Sequence, residues 1–170
     1  MKNNKFNNIE ILTEVNNFIH SFKSVVIGSK SSENNIDVTY APHLIFENNH
    51  YIFISEIGDH YTNLKDNPQE FEILFLQDEK EAVSPILRKR ARFNVTCSFL
   101  ERDEEFNRVL DVFEEHIGNS MKIIRKMEDF HLVKLNILDG RFVKGFGQAY
   151  LLKNDSVIPM TGDKKGHSSK

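Results

Sequence analysis

The sequence predicts a mainly β domain, an antiparallel barrel with peripheral helices, on three observations. About seven short runs carry strand-like patterns, the helical stretches between them do not follow a regular β-α alternation, and no repeat or biased linker divides the chain. A single domain over residues 1–160, followed by a polar, glycine-containing tail at 161–170 that is expected to be mobile, accounts for all 170 residues. That length is sufficient to bury one hydrophobic core.

The elements follow in order. Residues 9–22 place Ile11, Leu12, Val15, Phe18, Ile19 and Phe22 at three- and four-residue spacing, the stripe of an amphipathic helix. A short β-rich run at 24–28 is followed by a Glu-Asn-Asn turn and an alternating strand at 36–40. Pro42 cannot donate to a ladder, so the strand is expected to break or bulge there. Residues 44–46 and 51–54 flank Glu47-Asn48-Asn49-His50 as a hairpin. A short helix at 59–67 stops at Pro68, a strand covers 71–76, and a polar connection spans 80–85. Residues 87–100 read as one long strand with Phe93, Val95, Cys97 and Phe99 on one face. Asp103 is placed to cap a helix at 104–117, and a second short helix follows at 120–127. Two final strands, 130–137 and 141–150, are expected to meet at an Asp139-Gly140 turn.

Composition narrows the function. A hydrophobic share of 39 % fits a globular protein, and a core holding many of the 14 Phe is expected. A net charge of −3 argues against a nucleic-acid partner. No apolar run approaches the roughly 20 residues that cross a bilayer, so no membrane partner is expected. The single Cys97 can form neither an internal disulfide nor a cysteine zinc site, which points to the reducing cytoplasm.

Four features bear on chemistry. Arg88, Arg90 and Arg92 alternate along a strand, so they would share one face; three like charges there require water or an oxyanion such as a phosphate or a pair of propionates. A solvated edge strand with basic gatekeepers is the plainer alternative. Gly145 and Gly147, read as lying inside a strand, mark a bulge, a barrel corner or the close approach of a flat ligand. His167, in the tail, is either an idle surface imidazole or a ligand on a free arm that can reach a metal. Asp129 and His131 share one face at a strand start, where a carboxylate can orient a ligating imidazole; on local grounds alone a turn residue and a satisfied strand histidine are the plainer explanations. His60 ranks lower, at a helix start suited to an anion or a cofactor edge, or simply part of a capping segment.

These stretches, in this order, resemble the heme-utilisation proteins of the HugZ/HutZ type, built on the FMN-binding-like split β-barrel of the pyridoxamine-phosphate oxidases. The most specific part is Asp129-Phe130-His131-Leu132 followed by Gly140-Arg141-Phe142-Val143 and Gly145-Phe146-Gly147-Gln148-Ala149, with Tyr40-Ala41-Pro42, the segment 55–68 and the terminal Gly166-His167 completing the pattern. The resemblance implies a homodimer that binds heme in a cleft between subunits. It also implies oxidative opening of the ring to a biliverdin-type product with release of iron, driven by an external electron donor, either a reductase or a small reductant. It assigns His167 as the axial ligand of the heme iron, Asp129 as that histidine's hydrogen-bond partner from the other subunit, and Arg90, with neighbours Arg88 and Arg92, to the propionates. His60 falls near the pocket. Two alternatives stay open: an FMN-dependent oxidoreductase of the same superfamily, with the arginines on the flavin phosphate, and a heme carrier or store without turnover.

Overall fold

The computed structural model describes residues 8–154 and 156–160. Helix α1 (Asn8–His20) precedes strands β1 (Ser24–Lys30), β2 (Ile36–Phe46) and β3 (Asn49–Ser55). Helix α2 (Asp59–Asp66) and β4 (Phe71–Leu76) come next, then a 3-10 turn at Pro85–Leu87 and β5 (Arg90–Phe99). The chain ends with α3 (Glu104–Ile117), α4 (Asn119–Ile124), β6 (Phe130–Gly145), β7 (Gln148–Lys153) and β8 (Ser156–Pro159).

Every strand pairing is antiparallel, in the order β3-β2-β1-β4-β5-β6-β7-β8, and β3 also pairs with β6. That last pairing closes six strands into a barrel and leaves β7 and β8 as an extension beside β6. The expected mainly β barrel with peripheral helices is therefore what forms.

Two apolar clusters hold it. Inside the barrel, Val25, Ile27, Ile52, Ile54, Ile73, Phe75, Phe93 and Phe142 pack together, with α1 adding Ile11, Val15 and Ile19 over one end. Outside, α3 and α4 lay Phe106, Val109, Leu110, Phe113 and Met121 on Leu44, Tyr51, Phe53 and Leu132. Strand β3 thus has both faces covered, and Tyr51 to Ile54 form an unbroken buried run. Asp103 caps α3 as expected, its Oδ1 accepting from the Phe106 N–H at 3.0 Å.

Several boundaries depart from expectation. Pro42 does not interrupt β2, because residues 36–42 pair with β1 whereas β3 joins only from His43. The His43 N–H donates to the Lys23 carbonyl, so the N–H that Pro42 lacks would fall on the opposite edge, where β3 has not begun. Asp139-Gly140 is not a turn; β6 runs through it, with a bulge opposite Asn94 and Val95. The reversal comes at Phe146-Gly147, between Gly145 and Gln148, with Gly147 at φ +69°. Gly147 therefore belongs to a turn rather than a strand interior, while Gly145 ends β6 at a shift of register, the bulge that the glycines were read to mark. β5 starts at Arg90 rather than 87, and β8 was not foreseen.

Candidate functional site

The outward face of the sheet joins an apolar strip to a basic one. On β2 the outward residues Ile36, Val38 and Tyr40 are 71–78 % exposed. The register carries this strip sideways: Tyr40 stands beside Val26, Val26 beside Leu74, and Leu74 beside Arg92. One pair further along, Leu76 stands beside Arg90. Side chains directly opposite one another project on the same side of a sheet. A continuous surface, apolar at β2 and β4, therefore ends in guanidinium groups at β5. An open groove of about 810 Å³ adjoins it, lined by Phe22, Val26, Tyr40, Leu74, Leu76 and Arg88 among others.

The three arginines are not equivalent. Arg88 lies before the strand, donating from Nε to the Gln77 carbonyl at 2.8 Å and facing Glu79 at 3.5 Å. The expectation that all three share a strand face fails for this reason. Arg92 pairs with Glu72 at 3.2 Å. Arg90 is exposed and reaches only the Arg88 carbonyl, at 3.4 Å; among the described residues no carboxylate neutralises it. Sequence reasoning missed Arg141 as a site residue. With a turn expected at Asp139-Gly140, its cross-strand neighbour was invisible, but the continuous β6 sets it directly beside Arg92, also exposed. The nearby lysines are already engaged. Lys89 and Lys144 bind Glu14 of α1 at 3.0 and 2.9 Å, and although burial pushes that carboxyl up, their hydrogen bonds hold it below the usual range.

A second group gathers where β3 ends, α2 starts and β6 starts. Asp129 is half-buried, its Oδ2 accepting from Ser55 Oγ at 2.8 Å and its carbonyl from the Glu56 N–H at 2.9 Å. His131 shares a 2.7 Å contact between Nε2 and Glu56 Oε1, and its ring lies 4.9 Å from that of Tyr61. Tyr61 also donates to Glu56 at 3.4 Å. His60, in the first turn of α2, is half-buried with its Nδ1 unpartnered; burial lowers its pKa against the opposing pull of Asp59. Asp129 and His131 are thus together, as their spacing implied, but on one another's margins rather than in contact.

Asp129 and Arg90 stand at opposite ends of β6. Arg90 pairs with Val143, near the C-terminal end, while Asp129 precedes the first residue of the strand. On the order of 40 Å of strand lies between them. The chain leaves the sheet at the arginine end, since the Met160 N–H donates to the Ala149 carbonyl and Ala149 pairs with Val143. His167 lies outside the described residues. Among the described residues no helix is long and apolar enough to cross a membrane, and no group of three or more metal-ligating side chains converges.

Comparison with known proteins decides the ancestry of this arrangement. Residues 11–144 match the pyridoxamine 5'-phosphate oxidase family. Heme oxygenase HutZ of Vibrio cholerae is 32 % identical over 155 residues, covering 91 % of this chain and 88 % of that protein. The chain belongs to the HutZ-type heme-utilisation proteins of that family. The crystal structure of Campylobacter jejuni ChuZ superposes with a TM-score of 0.92 at 43 % identity, covering 98 % of this chain and 68 % of that one. The crystal structure of HutZ described as the heme storage protein from Vibrio cholerae superposes at 0.72 and 30 % identity, over 78 % of this chain and 93 % of the other. The HutZ-type barrel is accordingly the frame on which the apolar face and its arginine margin are carried.

Proposed function

We propose that the protein binds heme against the outward face of β2, β1, β4 and β5, between two copies of the chain, and degrades it oxidatively to a biliverdin-type product with release of iron. The observation that carries this reading is the apolar strip through Tyr40, Val26 and Leu74 that runs into Arg92, with Leu76 of the same face beside Arg90, a guanidinium without a carboxylate partner among the described residues. A porphyrin is an apolar plate with two carboxylates on one edge, and such a surface matches both parts. A flavin phosphate fits less well, because Arg88 and Arg92 are already matched by Glu79 and Glu72.

Heme supplies the iron at which dioxygen is activated once an external reductase or small reductant delivers electrons. The protein's part is to hold the ring and tune its iron. His167 is the axial ligand in this reading. From Met160, the seven residues to His167 reach at most about 24 Å, enough to return across the face beside Arg90 but short of the far end of β6. Asp129 therefore serves the histidine from the second copy, accepting an imidazole N–H and so raising its donor strength. Its carboxylate keeps Oδ1 available for this while Oδ2 is held by Ser55. His60 borders the same pocket.

Titration of the purified protein with hemin tests the reading. A Soret band is expected to form at one heme per chain, and ascorbate in air is expected to bleach it while a ferrous chelator colours. His167→Ala is expected to lower affinity at least tenfold and shift the band. An unchanged spectrum in that variant removes His167 as ligand. A stable Soret band that survives reductant and oxygen identifies a heme store, a role for which the HutZ structure is described.

A further inference from the structure

His43 is the one imidazole, carboxylate or amine that is wholly buried among the described residues. Its ring meets Phe75 edge-on at 5.0 Å, its Nε2 lies 3.1 Å from His50 Nδ1, and its own Nδ1 has no partner. One tautomer pair suits this arrangement. His43 carries its proton on Nε2 and donates to His50 Nδ1, leaving a bare lone pair in the core; the reverse assignment would bury an unsatisfied N–H. No added proton fits. On His43 Nδ1 it becomes a donor with nothing to receive it, and on His50 Nδ1 it turns the hydrogen bond into two donors facing each other.

The titratable groups that act on the pair are other histidines. His20 closes α1, Lys23 follows it, and His116 lies in the last turn of α3, hydrogen-bonded to the backbone of Phe22. β3 contributes His50, β4 the uncharged Phe75, and no carboxylate acts on either ring. The same place is a mechanical junction. The His43 N–H holds the Lys23 carbonyl, and His50 opens towards the groove between α1 and β6.

We propose that the His43–His50 pair is an acid-released latch, which holds the β2–β3 hairpin at His43 against the Lys23 segment that follows α1 while both rings are neutral and loosens the hairpin there when the pair takes up a proton. The device is independent of the heme reading. Burial pushes His43 down to about 3 and His50 down to about 4, both from an ordinary 6.5. The open form thus binds more protons than the closed one below the ordinary value. Closure is fully supported above that pH and weakens as pH falls, by up to about tenfold per pH unit for each ring.

Amide hydrogen exchange on the whole protein, as protection factors at pH 7.5 and 5, tests this. Amides of residues 44–51 are expected to lose about tenfold or more protection at pH 5, while those of β4 and β5 keep theirs. His43→Phe is expected to halve that loss on a logarithmic scale, because His50 keeps its own burial. Should it fail to fold, His50→Gln keeps an acceptor for the His43 N–H while removing one titrating ring, and is expected to halve the loss on a logarithmic scale. Unchanged protection at pH 5 overturns the proposal, as does an equal loss in all strands. The wild-type loss persisting in full in His43→Phe or in His50→Gln overturns it too.

Discussion

Gly140 shows how little room a single position can have. It sits in β6 opposite Phe93, and a Cβ there would overlap the Phe93 ring and lie 2.5 Å from the Arg92 carbonyl oxygen. Backbone cannot yield to it cheaply, so Gly140→Ala is expected to cost about 1–3 kcal/mol, read as a fall in denaturant midpoint at constant slope. Gly28 provides the contrast. Its added Cβ would have the Glu72 carbonyl oxygen as nearest neighbour at 3.9 Å, and Gly28→Ala is expected to stay within about 0.5 kcal/mol. Asp-Gly advertises a turn in a sequence; here the glycine answers instead to a phenylalanine on the next strand, a demand that adjacent residues do not reveal. Arg141 was hidden by the same misreading, because a residue just past a turn has no foreseeable neighbour, whereas Arg90 and Arg92 were legible from alternation alone.

Elements were legible where local chemistry sets them. α3 shows its apolar stripe and its Asp103 cap, and the β2–β3 hairpin turns at Glu47 and Asn48, both in the left-handed region, where the Glu-Asn-Asn-His run marked it. β8, four residues long with only Val157 buried, has too little pattern to be seen. α2 owes its seat to a contact between distant residues: the buried Asn63 donates from Nδ2 to Ser29 Oγ at 3.1 Å and Asp37 Oδ2 at 2.7 Å. Asn63→Ala would strand the Ser29 hydroxyl and loosen the helix, at a cost of about 1–3 kcal/mol. Calorimetry is expected to show a lower Tm, and exchange rates are expected to rise first in residues 59–66. Nothing within the helix marks Asn63 as more than a polar side chain; the pairing of β1 with β2 gives it a task.

At the scale of the whole molecule the exposed strip of Ile36, Val38 and Tyr40 is the surface on which the proposed pairing of two copies rests. Such a contiguous apolar surface is characteristic of an interface, and a second copy of the chain is the partner proposed above for the heme site. Val38→Asp places a charge at its centre without touching the barrel interior. The variant is expected to sediment as a monomer, to keep the far-UV spectrum of the parent and to lose the one-per-chain Soret titration. A monomeric variant that still takes up hemin normally would separate heme binding from pairing of the copies.

The seam between β3 and β6 also dictates when the molecule can exist. It joins His50 to Leu135 and Ser55 to Phe130, so the ring has no closing stave until most of the polypeptide has been synthesised. Everything upstream of β6 lacks the strand that closes the ring, and long-range pairing of this kind is slow and exposed to aggregation. A growing chain arrested before β6 is therefore expected to be prone to aggregate rather than to stand as a smaller version of the finished barrel.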